Sequence, residues 1–196
     1  MGFRNQTHTN RWAEPGQYNA SWKDRAEKLI QLFLEHERQE DRAYRIAEIG
    51  CGAHAPIQHV CAAHDNLIVT KFDINKWDDE TEILDLNGAS LEMPRADVIV
   101  FSGVLEYVND LHGVLEAAIG AAGFVLFSYG FLPEEIRQTD ETYINEIRSR
   151  AVKSGWRNHF TLDQVVQHAS SIGVISGIGL WKGSQVLLLL RNRGVE

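Results

Sequence analysis

Gly50-Cys51-Gly52 is the stretch of this sequence best suited to hold a ligand. Its two glycines lack a Cβ, so they can adopt positive φ and let a small molecule lie against bare backbone. Glu48 stands two positions before Gly50. A carboxylate there suits a cationic ligand better than a pyrophosphate, which it would repel. Asp73 follows Gly52 at about the distance expected for an acid that grips a ribose. Its two acceptor oxygens can take hydrogen bonds from both ribose hydroxyls. Gly50-x-Gly52-x-x-Ala55 also fits a loose dinucleotide fingerprint, and Glu48 is the residue that speaks against that reading.

These positions need a strand, a tight turn and a helix to hold them. Tyr44, Ile46, Ala47 and Ile49 form an apolar run with β character that stops at Gly50, and Pro56 then opens a stripe of helical spacing. This is the opening unit of a doubly wound α/β domain, whose ligands bind beyond the carboxyl ends of the strands where strand order reverses. Leu67 to Phe72 predicts a second strand ending at Asp73, Glu82 to Leu86 a third, Asp97 to Phe101 a fourth and Phe124 to Phe127 a fifth. Only residues 74–80 separate Asp73 from Thr81, too few for the usual crossover helix, so a turn around Trp77 is expected there.

Upstream, Ser21 is expected to cap a helix with Asp24 three residues on, and Trp22, Ala26, Leu29, Ile30 and Phe33 mark its buried face. Residues 1–20 are polar and read as a flexible or lid-like arm, and residues 21–196 as one domain. Asn109 or Asp110 should cap a helix whose core face is Leu111, Val114, Leu115 and Ala118. A polar helical stretch from Pro133 to about Lys153 is expected to bury Ile136, Tyr143, Ile144 and Ile147. Thr161 and Gln164 make a second capping box. Two closing strands, about Val174 to Trp181 and Gln185 to Leu190, are joined through Lys182-Gly183-Ser184.

On these residues the sequence resembles class I S-adenosylmethionine-dependent methyltransferases. Their first motif is an acid, a hydrophobic residue and Gly-x-Gly-x-Gly, and the chain reads Glu48-Ile-Gly50-Cys-Gly52-Ala-His54. His54 stands where the third glycine is usual and would narrow the methionine pocket. The resemblance covers roughly Ala43 to Arg191. It implies an α/β fold: a single doubly wound Rossmann-like domain, a mostly parallel seven-stranded sheet with a C-terminal antiparallel hairpin, and an extra N-terminal helix. It also implies S-adenosylmethionine as cofactor, held by Glu48 at its cationic end directly or through water, by Gly50, Cys51 and Gly52, by Asp73 at the ribose, and by Asp85 and Leu86 at the adenine. Ser102 opens the fourth motif, Ser102 to Val108, which lines the methyl-transfer site in look-alike families.

The chemistry implied is in-line transfer of a methyl group, which depends mainly on alignment and is helped by a base when the nucleophile arrives protonated. His159, Tyr107 and Tyr129 are the candidate catalytic residues, with Glu106 at the same strand ends and Trp156 and Arg157 at a substrate mouth. No Asn-Pro-Pro-Tyr motif follows the fourth strand, which weakens nucleobase and amide acceptors. The reading is a methyltransferase for a small-molecule or carbohydrate-type acceptor. Two alternatives are a non-catalytic cofactor-binding regulatory or partner protein, and a nicotinamide-dependent oxidoreductase.

A formal charge of −8 argues against a dedicated nucleic-acid binder. Cys51 and Cys61 form no disulfide or zinc framework, and the spacing of His54, His59, Cys61 and His64 does not favour a metal, so none is expected. Residues 1–7 have no apolar core, and the longest apolar run, Val186 to Leu190, is too short to span a membrane. A cytoplasmic protein is expected, with a small-molecule substrate and self-association into a homodimer as the partners considered.

Overall fold

The computed structural model describes residues 19–37, 39, 42–133 and 140–194. The arm expected at residues 1–20 falls outside this range except for its last two residues.

Seven strands form one sheet in the order β3-β2-β1-β4-β5-β7-β6. They are β1 (Tyr44–Ile49), β2 (Leu67–Asp73), β3 (Thr81–Ile83), β4 (Val98–Ser102), β5 (Phe124–Gly130), β6 (Val174–Trp181) and β7 (Gln185–Arg191). The first five run parallel, and β7 lies antiparallel to both β5 and β6. The helices are α1 (Ala20–His36), α2 (Pro56–Cys61), α3 (Leu111–Ala121), α4 (Asp140–Ser149) and α5 (Leu162–Ile172).

The two-residue period of a strand divides the core. Tyr44, Ile46, Val98, Val100 and Leu126 pack with Ala26, Leu29, Ile30 and Phe33 of α1 and with Ile57 and Cys61 of α2. Ala47, Ile49, Ile99, Phe101, Val125 and Phe127 pack with Val114, Leu115 and Ala118 of α3 and Val165 and Ala169 of α5. Both faces of the central strands are covered, which is why their sequences read as continuous apolar runs.

Several boundaries differ from the sequence expectation for local reasons. Asn19, not Ser21, caps α1, its side chain accepting from the Ser21 amide. β3 ends at Ile83, and Leu84 to Leu86 leave the sheet as a turn. Residues 74–80 hold no helix; buried Lys71 ties this short crossover down through Asp78 and Glu80. α2 stops at Cys61, short of His64. α4 is not a core helix: Ile144 is exposed, Tyr143 and Ile147 are half-buried, and Ile136 lies outside the described residues. The helix continues as a π turn, Arg150–Ser154. The capping box at Thr161 and Gln164 is present. Among the described residues no helix is long and apolar enough to cross a membrane.

Glu48 shares the face of Tyr44 and Ile46 and therefore points at α2. Its carboxylate accepts from the Ile57 amide at 3.0 Å and the Gln58 amide at 2.9 Å, satisfying the start of that helix. Burial pushes its pKa from 4.5 up to about 7, against the opposing pull of those two amides and Lys71. Since the folded protein holds this proton more tightly than the unfolded chain, the associated stabilisation is complete below about pH 4.5 and is lost as pH rises through 7. Urea unfolding across this window should show Glu48→Gln removing a pH-dependent component of about 3 kcal/mol from the wild-type curve. Parallel curves for the two proteins would contradict it.

Candidate functional site

β1 pairs with β2 on one side and β4 on the other, so the chains leaving β1 and β4 diverge and open a crevice at their carboxyl ends. A cavity of about 940 Å³ fills this crevice, in the range of small-molecule sites. Gly50 and Gly103, the residues just beyond β1 and β4, both have φ of 71°. A Cβ built on Gly50 would fall 2.4 Å from Val104 Cγ2. Gly52 is different: its Cβ position has no neighbour within 4 Å, leaving an open cradle beside the backbone.

Of the residues expected to hold a cofactor, Gly50, Cys51, Gly52, Asp73, Asp85, Leu86 and Ser102 line the cavity. Asp73 accepts from the Gly52 amide on Oδ2 and the Asn75 amide on Oδ1, both at 2.9 Å. One bond on each oxygen leaves lone pairs for a ligand. Asp85 accepts from the Asn87 amide and makes the turn that follows β3. Burial pushes the Cys51 thiol up to about 12, so it is a neutral wall group and not a nucleophile.

Glu48, expected to hold a ligand's cationic end directly or through water, does not line the cavity; both its oxygens accept from the first amides of α2. Tyr129 is also off the wall. It faces the α3 and α5 side of β5, its hydroxyl donating to Asn158 Oδ1 and accepting from the Phe160 amide. Burial raises its pKa, so it is a structural phenol. His159 stacks on Trp156 with centroids 6.4 Å apart and does not line the cavity. Burial and Arg150 lower its pKa, which favours the neutral ring. Among the three expected catalytic residues, Tyr107 alone reaches the wall, where its hydroxyl accepts from Trp156 Nε1.

Two wall residues had a weaker sequence signal. Arg25 of α1 is buried and donates to Ser102 Oγ at 3.1 Å, Ser102 O at 2.9 Å and Gln185 Oε1 at 3.2 Å. Burial lowers its pKa while Glu106 opposes the change. It sits on the same helical face as Trp22, Ala26 and Leu29, and a cation on a buried stripe was the clue available. Glu106 is 2% exposed and lines the cavity from the turn after β4. Among the described residues, no three His, Cys, Asp or Glu side chains converge as a metal site.

No family model and no curated protein matches the sequence. Solved structures do match in fold. An O-methyltransferase family 2 protein from Planctomyces limnophilus, in complex with apigenin, superposes with a TM-score of 0.62 at 14% identity, over 87% of this chain and 56% of that one. An S-adenosylmethionine-dependent methyltransferase from Mesorhizobium loti gives 0.61 at 17% identity, over 85% and 97%. The N-terminal domain of EvdMO1, in the presence of SAH and D-fucose, gives 0.57 at 12% identity, over 91% and 85%. The chain spans only 54 to 57% of the length of several matched structures. Its fold is that of the class I S-adenosylmethionine-dependent methyltransferases, a mostly parallel seven-stranded sheet closed by antiparallel strands.

Gly50→Ala should cost about 2 to 4 kcal/mol, combining left-handed strain with the clash on Val104. That is a melting-temperature drop of roughly 4–16 °C for a chain of this size. Adding Val104→Ala should recover part of the drop by removing the clash and leaving the strain. A single variant that melts like the wild type would refute the packing account.

Proposed function

We propose that this protein is an S-adenosylmethionine-dependent methyltransferase acting on a small-molecule or carbohydrate-type acceptor. The observation that carries the reading is the convergence, on one cavity at the switch point, of the Gly50–Gly52 turn, the acids Asp73 and Asp85, and the segment after β4. The residues fit the cofactor. The open cradle at Gly52 admits a ligand against backbone, and Asp73 keeps acceptor capacity for ribose hydroxyls. Asp85 and Leu86 would take the adenine, and Ser102 and Arg25 bound the end where a zwitterionic amino acid would lie. When bound, the cofactor supplies an electrophilic methyl group on a sulfonium.

The protein's own residues contribute positioning. The walls fix the acceptor's approach, and alignment is the main requirement of an in-line displacement. A pocket, not a basic groove, favours a small acceptor, and the matched proteins that hold apigenin or were crystallised with D-fucose support that choice. Cys51 and Cys61 are free thiols, consistent with a reducing cytoplasmic setting. The competing reading, a cofactor-binding partner protein without turnover, draws on the position of His159 and Tyr129 away from the wall.

Calorimetry should detect binding of S-adenosylhomocysteine to the wild type. Asp73→Ala should weaken it about tenfold to a hundredfold, the loss of a charge-assisted hydrogen bond. Absence of binding to the wild-type chain would end the proposal. Methyl transfer from radiolabelled cofactor to any small acceptor would exclude the non-catalytic reading.

A further inference from the structure

Beyond the residues assigned to the cofactor, the same cavity is walled by Trp22, Glu106, Tyr107 and Trp156. Trp156 is held in place from several directions. Its Nε1 donates to the Tyr107 hydroxyl, the Arg150 guanidinium lies 4.7 Å over its ring, and His159 stacks on it. Its ring edge also approaches Gly130 so closely that a Cβ there would fall 2.6 Å from Cη2. A rigid aromatic wall of this kind suits the flat or apolar face of a ring.

Glu106 stands in that wall. Its Oε1 accepts from the Gly130 amide at 2.7 Å, and its backbone carbonyl accepts from the Arg157 amide at 2.8 Å. Oε1 and the main chain are therefore fixed, whereas Oε2 is buried and has no hydrogen-bond partner among the described residues. A carboxylate oxygen left this way costs free energy unless a donor reaches it. The charged and titratable groups coupled to Glu106 are Arg25 from α1, Arg150 from the π turn and Tyr129 of β5. Burial raises its pKa, and its own amide, the Gly130 amide and then the two arginines oppose the rise by favouring the ionised form.

We infer that Glu106 Oε2 is the recognition point for the methyl acceptor, and that it takes a hydrogen bond from a hydroxyl borne on a ring lying against Trp156 and Tyr107. This rests on the methyltransferase reading and deepens it: the wall carrying Glu106 and Trp156 selects a neutral ring alcohol or phenol, while Asp73 and the Gly50–Gly52 backbone serve the cofactor. Glu106 thereby selects the acceptor and orients its oxygen; as the oxygen–methyl bond forms and the methyl–sulfonium bond breaks, the hydroxyl proton would pass to Oε2 and S-adenosylhomocysteine would leave.

Ring compounds with and without the donor test this directly. Phenol and its methyl ether, anisole, are titrated by calorimetry into the full chain, with and without saturating S-adenosylhomocysteine, alongside cyclohexanol and methoxycyclohexane. The wild type should bind at least one alcohol about tenfold or more tighter than its ether, because the ether leaves Oε2 unpaired. Whether phenol or cyclohexanol shows the preference tells an aromatic from a saturated acceptor. In Glu106→Gln the amide oxygen can keep the Gly130 bond while the amide nitrogen donates into the pocket. Alcohol and ether should then bind nearly alike, with unchanged affinity for S-adenosylhomocysteine and an unchanged melting temperature. Transfer of labelled methyl to the preferred alcohol should fall about a hundredfold in the same variant. Equal binding of alcohol and ether by the wild type, no binding of either alcohol, or a preference that survives Glu106→Gln would each overturn the inference. Such a result with cofactor binding intact leaves the methyltransferase reading standing. Loss of S-adenosylhomocysteine binding by the wild type removes that reading, while the alcohol and ether titrations still report on Glu106.

Discussion

Two adjacent parallel strands leave the centre of the sheet toward opposite sides, and each must clear the other within a residue of its end. That constraint organises the molecule. Gly50 and Gly103 meet it with the same left-handed backbone, and Val104 fills the space that any side chain at position 50 would need. The crevice between the diverging chains is thus lined by main chain and by whatever residues come next. Those residues are Cys51 and Gly52 from one strand, and the turn carrying Glu106 and Tyr107 from the other.

Three acids near this crevice show how environment divides roles among identical groups. Glu48 is turned under the sheet by strand alternation, caps α2 with both oxygens, and is pushed by burial toward neutrality at physiological pH. Asp73, at the end of β2, braces the glycine turn with one bond per oxygen and keeps capacity facing the cavity. Glu106 is as buried as Glu48, yet has one oxygen without a partner among the described residues. Charge alone does not separate these cases; the partners do.

Arg25 links the N-terminal helix to the site. Its three bonds to Ser102 and Gln185 join α1, β4 and β7 at the cavity floor. The guanidinium also lies 5.6 Å from the Trp181 ring, and Trp181 in turn donates to Asp24 of α1. Docking of α1 on the sheet and the electrostatics of the cavity are therefore one arrangement, and the helix is part of the binding wall.

Local chemistry was enough to read the strand-turn-helix unit, the seven strands, the acid closing β2, the absent crossover helix and the cap at Thr161, because each depends on neighbours in sequence: glycine freedom, apolar period and loop length. Gly50, Cys51, Gly52 and Asp73 reach the cavity for the same reason, since they lie at or just beyond strand ends, whereas Asp85, Leu86 and Ser102 were expected there from the family resemblance. Misreadings arose where a side chain's direction depends on distant packing. His159 and Tyr129 had suitable chemistry, but Trp156 and Asn158 claim them, and the two Glu48 oxygens go to the first amides of α2. Arg25 and Glu106 come from distant stretches of chain, so their shared place on the cavity wall became visible only once α1 was laid against β4. Sequence carries the periods and the turns; which groups end up without a neighbour is a property of the folded packing.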